Sequence, residues 1–532
     1  MAQSKDMVDV LVIGAGASGA ALAWSLTQAG IQVLCLEQGG WLDPKAFPVT
    51  EHEWEVHWQT DFNPDPNFRR LPQDYPVNNL ESVIAPYMYN AVGGSTIHWG
   101  SHFPRLHPSD FRVRTLDGVA DDWPLTYQEL EPYFDQNDRQ MGTSGLNGDP
   151  AYPPKPPRPT PPLPIGSLGE VLAKGFDKLG WHWWSSDSAV SSTEYDGRTP
   201  NLGTGIRSPS SVDISYWPKA LNNGAILRTN TRVREITVSA DGMAHSAIYY
   251  DADGRVQEQT ASVIVLACNG VGTPRLLLNS RSPIFPDGLA NSSGLVGKNL
   301  MYHPSVGVIG VFDERSDGYV GPMSSTMLSQ QFYESDSARG FVRGYEFQVL
   351  RGVGPVATAN GGWARHPVPW GPEHHRQFHE LSAHSIGIVV MSEDLPEEHN
   401  DVTLDPDLLD SNGIPAPKVR YKMSENTTRM LAHGVDRARE VMEAAGARKV
   451  IGDPAKIIGG WHLVGTAPMG DDPRTSVVDR WGGSHDVKNL FIIDGSIWVT
   501  AGGLNPTPTI QALALRTADY LKGEGRYRIT GR

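Results

Sequence analysis

Residues 14–19 read Gly-Ala-Gly-Ala-Ser-Gly, with glycine at the first, third and sixth places. That spacing suits a chain that wraps a pyrophosphate. Gly14 permits a tight turn, Gly16 lets the backbone approach the phosphates, and Gly19 lets a helix press close on a sheet. Ser18 lies in the same loop, and the N-terminus of the helix behind it supplies partial positive charge. Roughly twenty residues on, Glu37 offers a carboxylate to the hydroxyls of an adenosine ribose. These residues mark a dinucleotide without saying which one, and a glycine-rich turn in an unrelated α/β protein contains the same types. A second glycine loop follows at Val92–Trp99, carrying Gly93, Gly94, Ser95, His98 and Trp99. A nicotinamide domain continues in regular βα repeats, whereas here the chain leaves Glu37 for a long excursion containing Pro and Trp. Contacts so far from the first turn suit FAD, whose pyrophosphate, ribityl chain and ring span a long site.

Other reactive types are scattered. His98 and His102 stand four apart, a metal-compatible spacing on a helix, but Gly100 and Ser101 between them argue against helix. His374, His375 and His379 form a polar cluster of the kind usually solvated. Cys35 and Cys268, the two cysteines, sit in apolar strand-like runs and read as small buried hydrophobes. No metal site, disulfide framework or cysteine-ligated cluster is expected.

The elements that must position the glycine loop are legible around it. Asp9–Ile13 is a short apolar strand, an Ala-rich helix follows and stops at Gly30, and Ile31–Leu36 is a second strand ending on Glu37. Ala261–Cys268 and Leu490–Ile493 read as further strands. Val306–Phe312 and Ser385–Met391 read as strands of a different sheet. Ser424 caps a helix with Leu431, Val435, Ala438 and Met442 on one face, ended by Gly446. Thr507-Pro508 opens a last helix that turns Ile510, Leu513, Ala514 and Leu521 inward. The expected fold is α/β (α+β): a Rossmann-like, discontinuous nucleotide-binding domain over 1–110, 200–305 and 455–532, with a sheet-plus-helices substrate domain over 306–454. Residues 111–199 are a connecting excursion, with a stiff Pro-rich linker at 153–164.

A chain of 532 residues with 39% hydrophobic residues, 56 Gly and 41 Pro is a loop-rich globular protein of more than one domain. Its formal charge of −15 argues against nucleic acid and anionic membranes as partners. No apolar run approaches the ~20 residues that span a bilayer. The first strand begins within a few residues of Met1, which leaves no room for an export signal, so a cytoplasmic location is expected.

In order along the chain come the first fingerprint, the Gly93-Gly94 loop, Ala267–Ser280 (ACNGVGTPRLLLNS), and Gly297-Lys298-Asn299-Leu300 with His303-Pro304. They are followed by Trp461–Thr466 (WHLVGT), Ile493–Ser496 (IDGS) and Gly503–Thr507 (GLNPT). With these segments the sequence resembles the glucose–methanol–choline (GMC) oxidoreductase family over nearly its whole length. Asp122-Trp123-Pro124 with Tyr127, Leu130 and Tyr133 is similar to the large subunits of bacterial sugar dehydrogenases. Two departures stand out: Asn269 where the family usually has Gly, and Arg281 where it has Gly after Ser280. The stretch from Pro200 to Pro218 has no cysteine, so the iron–sulfur insertion of some relatives is absent.

The resemblance implies an FAD enzyme acting on CH–OH donors, with His462 and Asn505 facing the flavin over the substrate. A neutral imidazole suits removal of the hydroxyl proton, and an amide can hold the same oxygen. Further flavin contacts are implied for Val233, Asp494, Gly495, Pro506 and Thr507. In pyranose oxidase-like members a histidine in a similar loop is bonded to the flavin. For His98, one residue later in its loop, a covalent bond, a noncovalent contact and a purely structural role all stay open. The implied substrate is a sugar, glycoside or polyol, with an aryl or aliphatic alcohol as alternative. The electron acceptor is a quinone, a redox protein or, in an oxidase, O2. A redox-silent lyase is a more remote alternative. The resemblance also allows a small export-signal-bearing partner subunit, which would place the chain in the periplasm. Pocket walls are expected from 301–454 and the loop at Trp461, with Trp363, Trp370 and Phe378 as candidates for stacking on substrate.

Overall fold

The computed structural model describes residues 7–43, 60–192, 210–315, 327–350, 353–526 and 528. Residues 44–59 of the early excursion and 200–209 of the cysteine-free stretch lie outside them.

The strand Val8–Ile13 is buried almost throughout and sits in the middle of a seven-stranded sheet. Val33–Leu36 and then Ile226–Arg228 pair parallel on one side. On the other side lies Val256–Leu266, which takes Leu490–Ile492 parallel on its far edge. Val256–Leu266 serves two ladders. Residues 261–266, apolar but for Ser262, lie in the buried parallel layer. Residues 256–260, polar after Val256, pair antiparallel with Ala244–Tyr250, next to Arg232–Val238. The parallel strands end on one edge, so the Gly14 turn, Glu37, Cys268 and Asp494 emerge side by side. Ligands of open parallel sheets bind at that edge.

The helix Ala17–Gln28 is buried along most of its length between this sheet and the C-terminal helix Thr507–Lys522. Its Ala-rich composition follows, because small side chains let the three layers approach. At Gly14 the backbone has φ +105°, and a Cβ there would lie 2.4 Å from the Ala267 carbonyl oxygen. A Cβ at Gly19 would lie 2.1 Å from the Gly14 oxygen. Both positions therefore demand glycine.

A second, six-stranded antiparallel sheet runs in the order Lys449–Ile458, Ser305–Val311, Ser385–Ser392, Tyr345–Leu350, Met327–Ser329, Trp184–Ser185. The helix Glu425–Ala445, capped by Ser424 and ended at Gly446 (φ +101°), packs on one face with Gly166–Leu179 behind it. Period-two alternation sorts the side chains. Tyr345, Phe347, Val349, Ile386, Ile388 and Val390 enter the helix-facing core, which leaves Glu346, Gln348, Leu350, Val389 and Met391 on the opposite face. A three-stranded sheet of Asp401–Leu409, Pro415–Tyr421 and Asn78–Ser82 lies apart from both. No helix among the described residues is long and apolar enough to cross a membrane.

Candidate active site

One cavity of about 650 Å³ runs from the glycine turn to the open face of the second sheet. Gly14, Gly16, Ser18 and Glu37 line one end. Gly94, Ser95, His98, Trp99 and Val233 line the body, along with Asp494 and Gly495. His462, Asn505, Pro506 and Thr507 line the far end. Two expected contacts are not in the wall. Gly19 is covered by the turn it packs against. Gly93, at φ +102°, shapes the second loop, where a Cβ would lie 2.9 Å from Ile97.

At the first end, a Cβ on Gly16 would meet no atom within 4 Å, so the backbone there faces open cavity. Both oxygens of the buried Glu37 carboxylate are engaged: Oε2 accepts the Ala15 N–H and Oε1 the Gly39 N–H, each at 2.8 Å. Burial nonetheless pushes this carboxyl up to about 7, against the lowering by those two bonds. Asn269 stands at φ +69°, a conformation asparagine tolerates, and its Oδ1 accepts the N–H groups of Val271 and Gly272. The departure from glycine therefore satisfies two N–H groups in the first turn of the helix Asn269–Asn279. The Asp494 carboxylate accepts from Cys268 N, Thr273 Oγ1, Ser496 N and Ser496 Oγ, so it ties two strand ends together. Cys268 is half-buried and lines the cavity, while Cys35 is fully buried in its strand. The expectation of two buried thiols therefore holds only in part at Cys268, whose strand ends at Leu266 and leaves the side chain at the cavity edge.

His98 is 4% exposed and packs 4.2 Å from the Tyr89 ring and 5.5 Å from Phe62. Burial, with repulsion from Arg69, lowers its pKa to about 3, so the imidazole is neutral. His98 and His102 are not on a helix: the short 3-10 turn Gly94–Ile97 ends at His98, and Ser101 has φ +56°. Among the described residues no cluster suited to a metal ion occurs. His374, His375 and His379 lie on the helix His374–Leu381, which has no buried residue.

At the far end, His462 follows Gly459 and Gly460, at φ +120° and +139°. A Cβ at Gly460 would lie 2.1 Å from the Ala85 oxygen, so this close crossing needs glycine to swing His462 into the cavity. Its Nδ1 is 2.7 Å from Nδ1 of the buried His303. His303 Nε2 in turn faces two carbonyl oxygens, Gly502 at 2.7 Å and Ala501 at 3.1 Å. Carbonyls only accept, so His303 carries its proton on Nε2 and presents a lone pair at Nδ1. His462 must then carry its proton on Nδ1, which leaves Nε2 as a lone pair directed into the cavity. That nitrogen is 3.5 Å from Asn505 Nδ2. Burial lowers the His303 pKa to about 4. Burial, followed by repulsion from His303 and His102, lowers His462 well below its usual 6.5. Both rings are therefore neutral near pH 7.

The Asn505 loop is clamped from behind. Buried Arg343 bonds Glu393, Asp117 and Asp110 at 2.8, 2.9 and 2.5 Å. Tyr333 OH donates to Asp110 and accepts the Gly503 N–H at 3.0 Å. Trp123 of the Asp-Trp-Pro segment donates to Thr500 Oγ1 at 2.8 Å and packs against Trp498.

Trp363 lines the cavity, but Trp370 and Phe378 do not: Trp370 is 89% exposed and stacks on His374 instead. Sequence reasoning missed Gln348, Glu346 and the part played by His303. The alternation Tyr-Glu-Phe-Gln-Val-Leu at 345–350, polar between apolar residues, was the available signal.

Known proteins resemble this chain over most of its length. The two family models for GMC oxidoreductase match residues 8–305 and 396–514. A 2-methyl-1,2-propanediol dehydrogenase from Mycolicibacterium austroafricanum is 43% identical, covering 98% of this chain and 96% of that one. The fructose dehydrogenase large subunit of Gluconobacter japonicus is 30% identical over 96% and 97%. Among solved structures, pyridoxine 4-oxidase from Mesorbium loti shares the fold with a TM-score of 0.69 at 17% identity, covering 96% of this chain and 98% of that one.

Proposed function

The chain belongs to the GMC oxidoreductase family, an FAD-binding family of oxidoreductases, and from that premise we propose that it oxidises a hydroxyl-bearing carbon of a small diol, polyol or sugar to a carbonyl. The observation that carries this reading is the pair His462 Nε2 and Asn505 Nδ2, 3.5 Å apart at the end of the cavity. An alcohol oxygen seated between them donates its hydrogen to the imidazole and accepts one from the amide. It then loses its proton to His462 as the carbon–hydrogen bond breaks. Asn505 orients the oxygen and stabilises the charge that develops on it.

The residues fit FAD. Gly14, Gly16 and the helix behind them suit its pyrophosphate, and Glu37 retains lone pairs for ribose hydroxyls. Ser95, His98, Trp99 and Val233 line the space between, and the Thr507 helix directs its N-terminus toward the far end. Bound FAD supplies the hydride acceptor, and the chain supplies placement and proton removal. The buried neutral His98 fits either state of attachment, and acid precipitation of the holoprotein separates them: flavin in the pellet means a bond, flavin in the supernatant a contact.

The 43% identical diol dehydrogenase supports a vicinal diol as first substrate, and the fructose dehydrogenase likeness supports sugars and a partner subunit. A second polypeptide that co-purifies would establish such a subunit and the periplasmic route. The deciding experiment is anaerobic titration of the yellow holoprotein with 1,2-diols, sugars and simple alcohols. Bleaching near ~450 nm by one class names the substrate. Admission of air with peroxide release then marks an oxidase, and its lack a dehydrogenase. A holoprotein that no alcohol bleaches would refute the redox reading.

A further inference from the structure

Asn505 can serve the substrate oxygen only if its amide nitrogen, not its oxygen, faces His462. Nothing in asparagine itself decides this, because the two ends of an amide are nearly the same size. Its Oδ1 is 2.6 Å from Gln348 Nε2, and that same nitrogen is 2.5 Å from Glu346 Oε1. Glutamine has the same ambiguity as asparagine. Glu346 does not: both ends of its side chain are carboxylate oxygens, which accept, and it carries no N–H to offer Gln348. It draws the Gln348 NH2 toward itself, the second hydrogen of that group meets the Asn505 carbonyl, and the Asn505 NH2 is left facing His462 Nε2. Glu346 is 0% exposed, with His102 Nε2 3.6 Å from its Oε1, and it stands two residues from Gln348 on the cavity-facing side of the strand. Glu346 lies behind Gln348, which does line the cavity, and a buried polar group is costly unless it is hydrogen-bonded.

We infer that Glu346 and Gln348 are positioning residues that polarise the active site, fixing the Asn505 amide so that it donates to the reacting oxygen. The inference rests on the reading of His462 and Asn505 given above and deepens it. If the carboxylate is replaced by an amide, the chain of contacts can invert. Gln348 then turns its oxygen to Asn505, and Asn505 turns its oxygen toward the developing negative charge.

The test compares Glu346→Gln and Glu346→Asp as holoenzymes, with His462→Ala as control, by anaerobic flavin reduction over a substrate series. Glu346→Gln keeps shape and loses direction. Its limiting reduction rate should fall by roughly 10²-fold, the usual loss for a misdirected oxyanion donor, with a much smaller change in half-saturating concentration. Glu346→Asp changes size but still only accepts, and should retain more of the rate than Glu346→Gln. Packing alone predicts the reverse order. Gln348→Met, which removes the link but keeps an apolar filler, should match Glu346→Gln. That variant keeps the proposal testable if either Glu346 variant fails to retain flavin. A Glu346→Gln or Gln348→Met holoenzyme reduced at the wild-type rate, or an Asp variant slower than the Gln variant, overturns the relay. If His462→Ala is also reduced at the wild-type rate, the failure belongs to the catalytic reading instead.

Discussion

Replacing His303 with leucine tests whether the His462 base is set by its neighbour. The substitution removes the lone pair 2.7 Å from His462 Nδ1 and the donor to the Ala501 and Gly502 oxygens. A buried hydrogen bond left unmade costs about 1–3 kcal/mol, and His462 becomes free to carry its proton on Nε2, where it is no base. At 1.36 kcal/mol per tenfold, the flavin reduction rate should fall roughly 5–150-fold. His303→Asn places an amide oxygen where Nδ1 stood and should recover most of that loss. The assay is anaerobic stopped-flow reduction, with flavin content and circular dichroism as controls for folding. A leucine variant reduced as fast as wild type, or asparagine and leucine variants reduced equally slowly, would refute the tautomer argument.

The same pair gives a signed pH effect. His303 is held near 4 when folded against an ordinary 6.5, so between those values the unfolded chain binds the proton that the folded one refuses. Stability from this group is therefore full above pH 6.5 and is lost as pH falls to 4, by about 3 kcal/mol. Chemical denaturation should show wild type losing more stability than His303→Asn across that window.

The remaining predictions are briefer. His462→Ala should keep FAD but slow its reduction by ~10²–10⁴-fold, measured in the same stopped-flow experiment. Glu37→Ala leaves the Ala15 and Gly39 N–H groups without their acceptor. It should therefore weaken flavin retention on a desalting column while the remaining holoenzyme reacts normally. Unchanged retention would remove Glu37 from the ribose site. Arg343→Met strands three carboxylates and should lower stability by ~3–5 kcal/mol in denaturant titration. A change under about 1 kcal/mol would mean the cluster is solvated.

What could be read along the chain were features whose cause is local. The glycine turn, its strand and helix, the capped helix after Ser424 and the opening of the last helix at Thr507 all follow from short-range period and steric demand. Gly14 and Gly19 are required because atoms within one βα unit and its neighbour strand come too close for a Cβ. The ordered segments from Gly14 to Thr507 also carried the family, and they singled out His462 and Asn505 as candidates. The stacking role considered for Trp370 failed because type says nothing of direction, and its ring turned outward onto His374. What tertiary structure alone decided was direction. His303 and His462 are 159 residues apart, and Gln348 and Asn505 are 157 apart. No periodicity within either segment says that one nitrogen will face another across two sheets. Protonation states, tautomers and the facing of an amide depend on which acceptors arrive from elsewhere in the fold. The sequence therefore determined the family and the local elements, and the packing of the two sheets decided how the side chains at their junction are aimed.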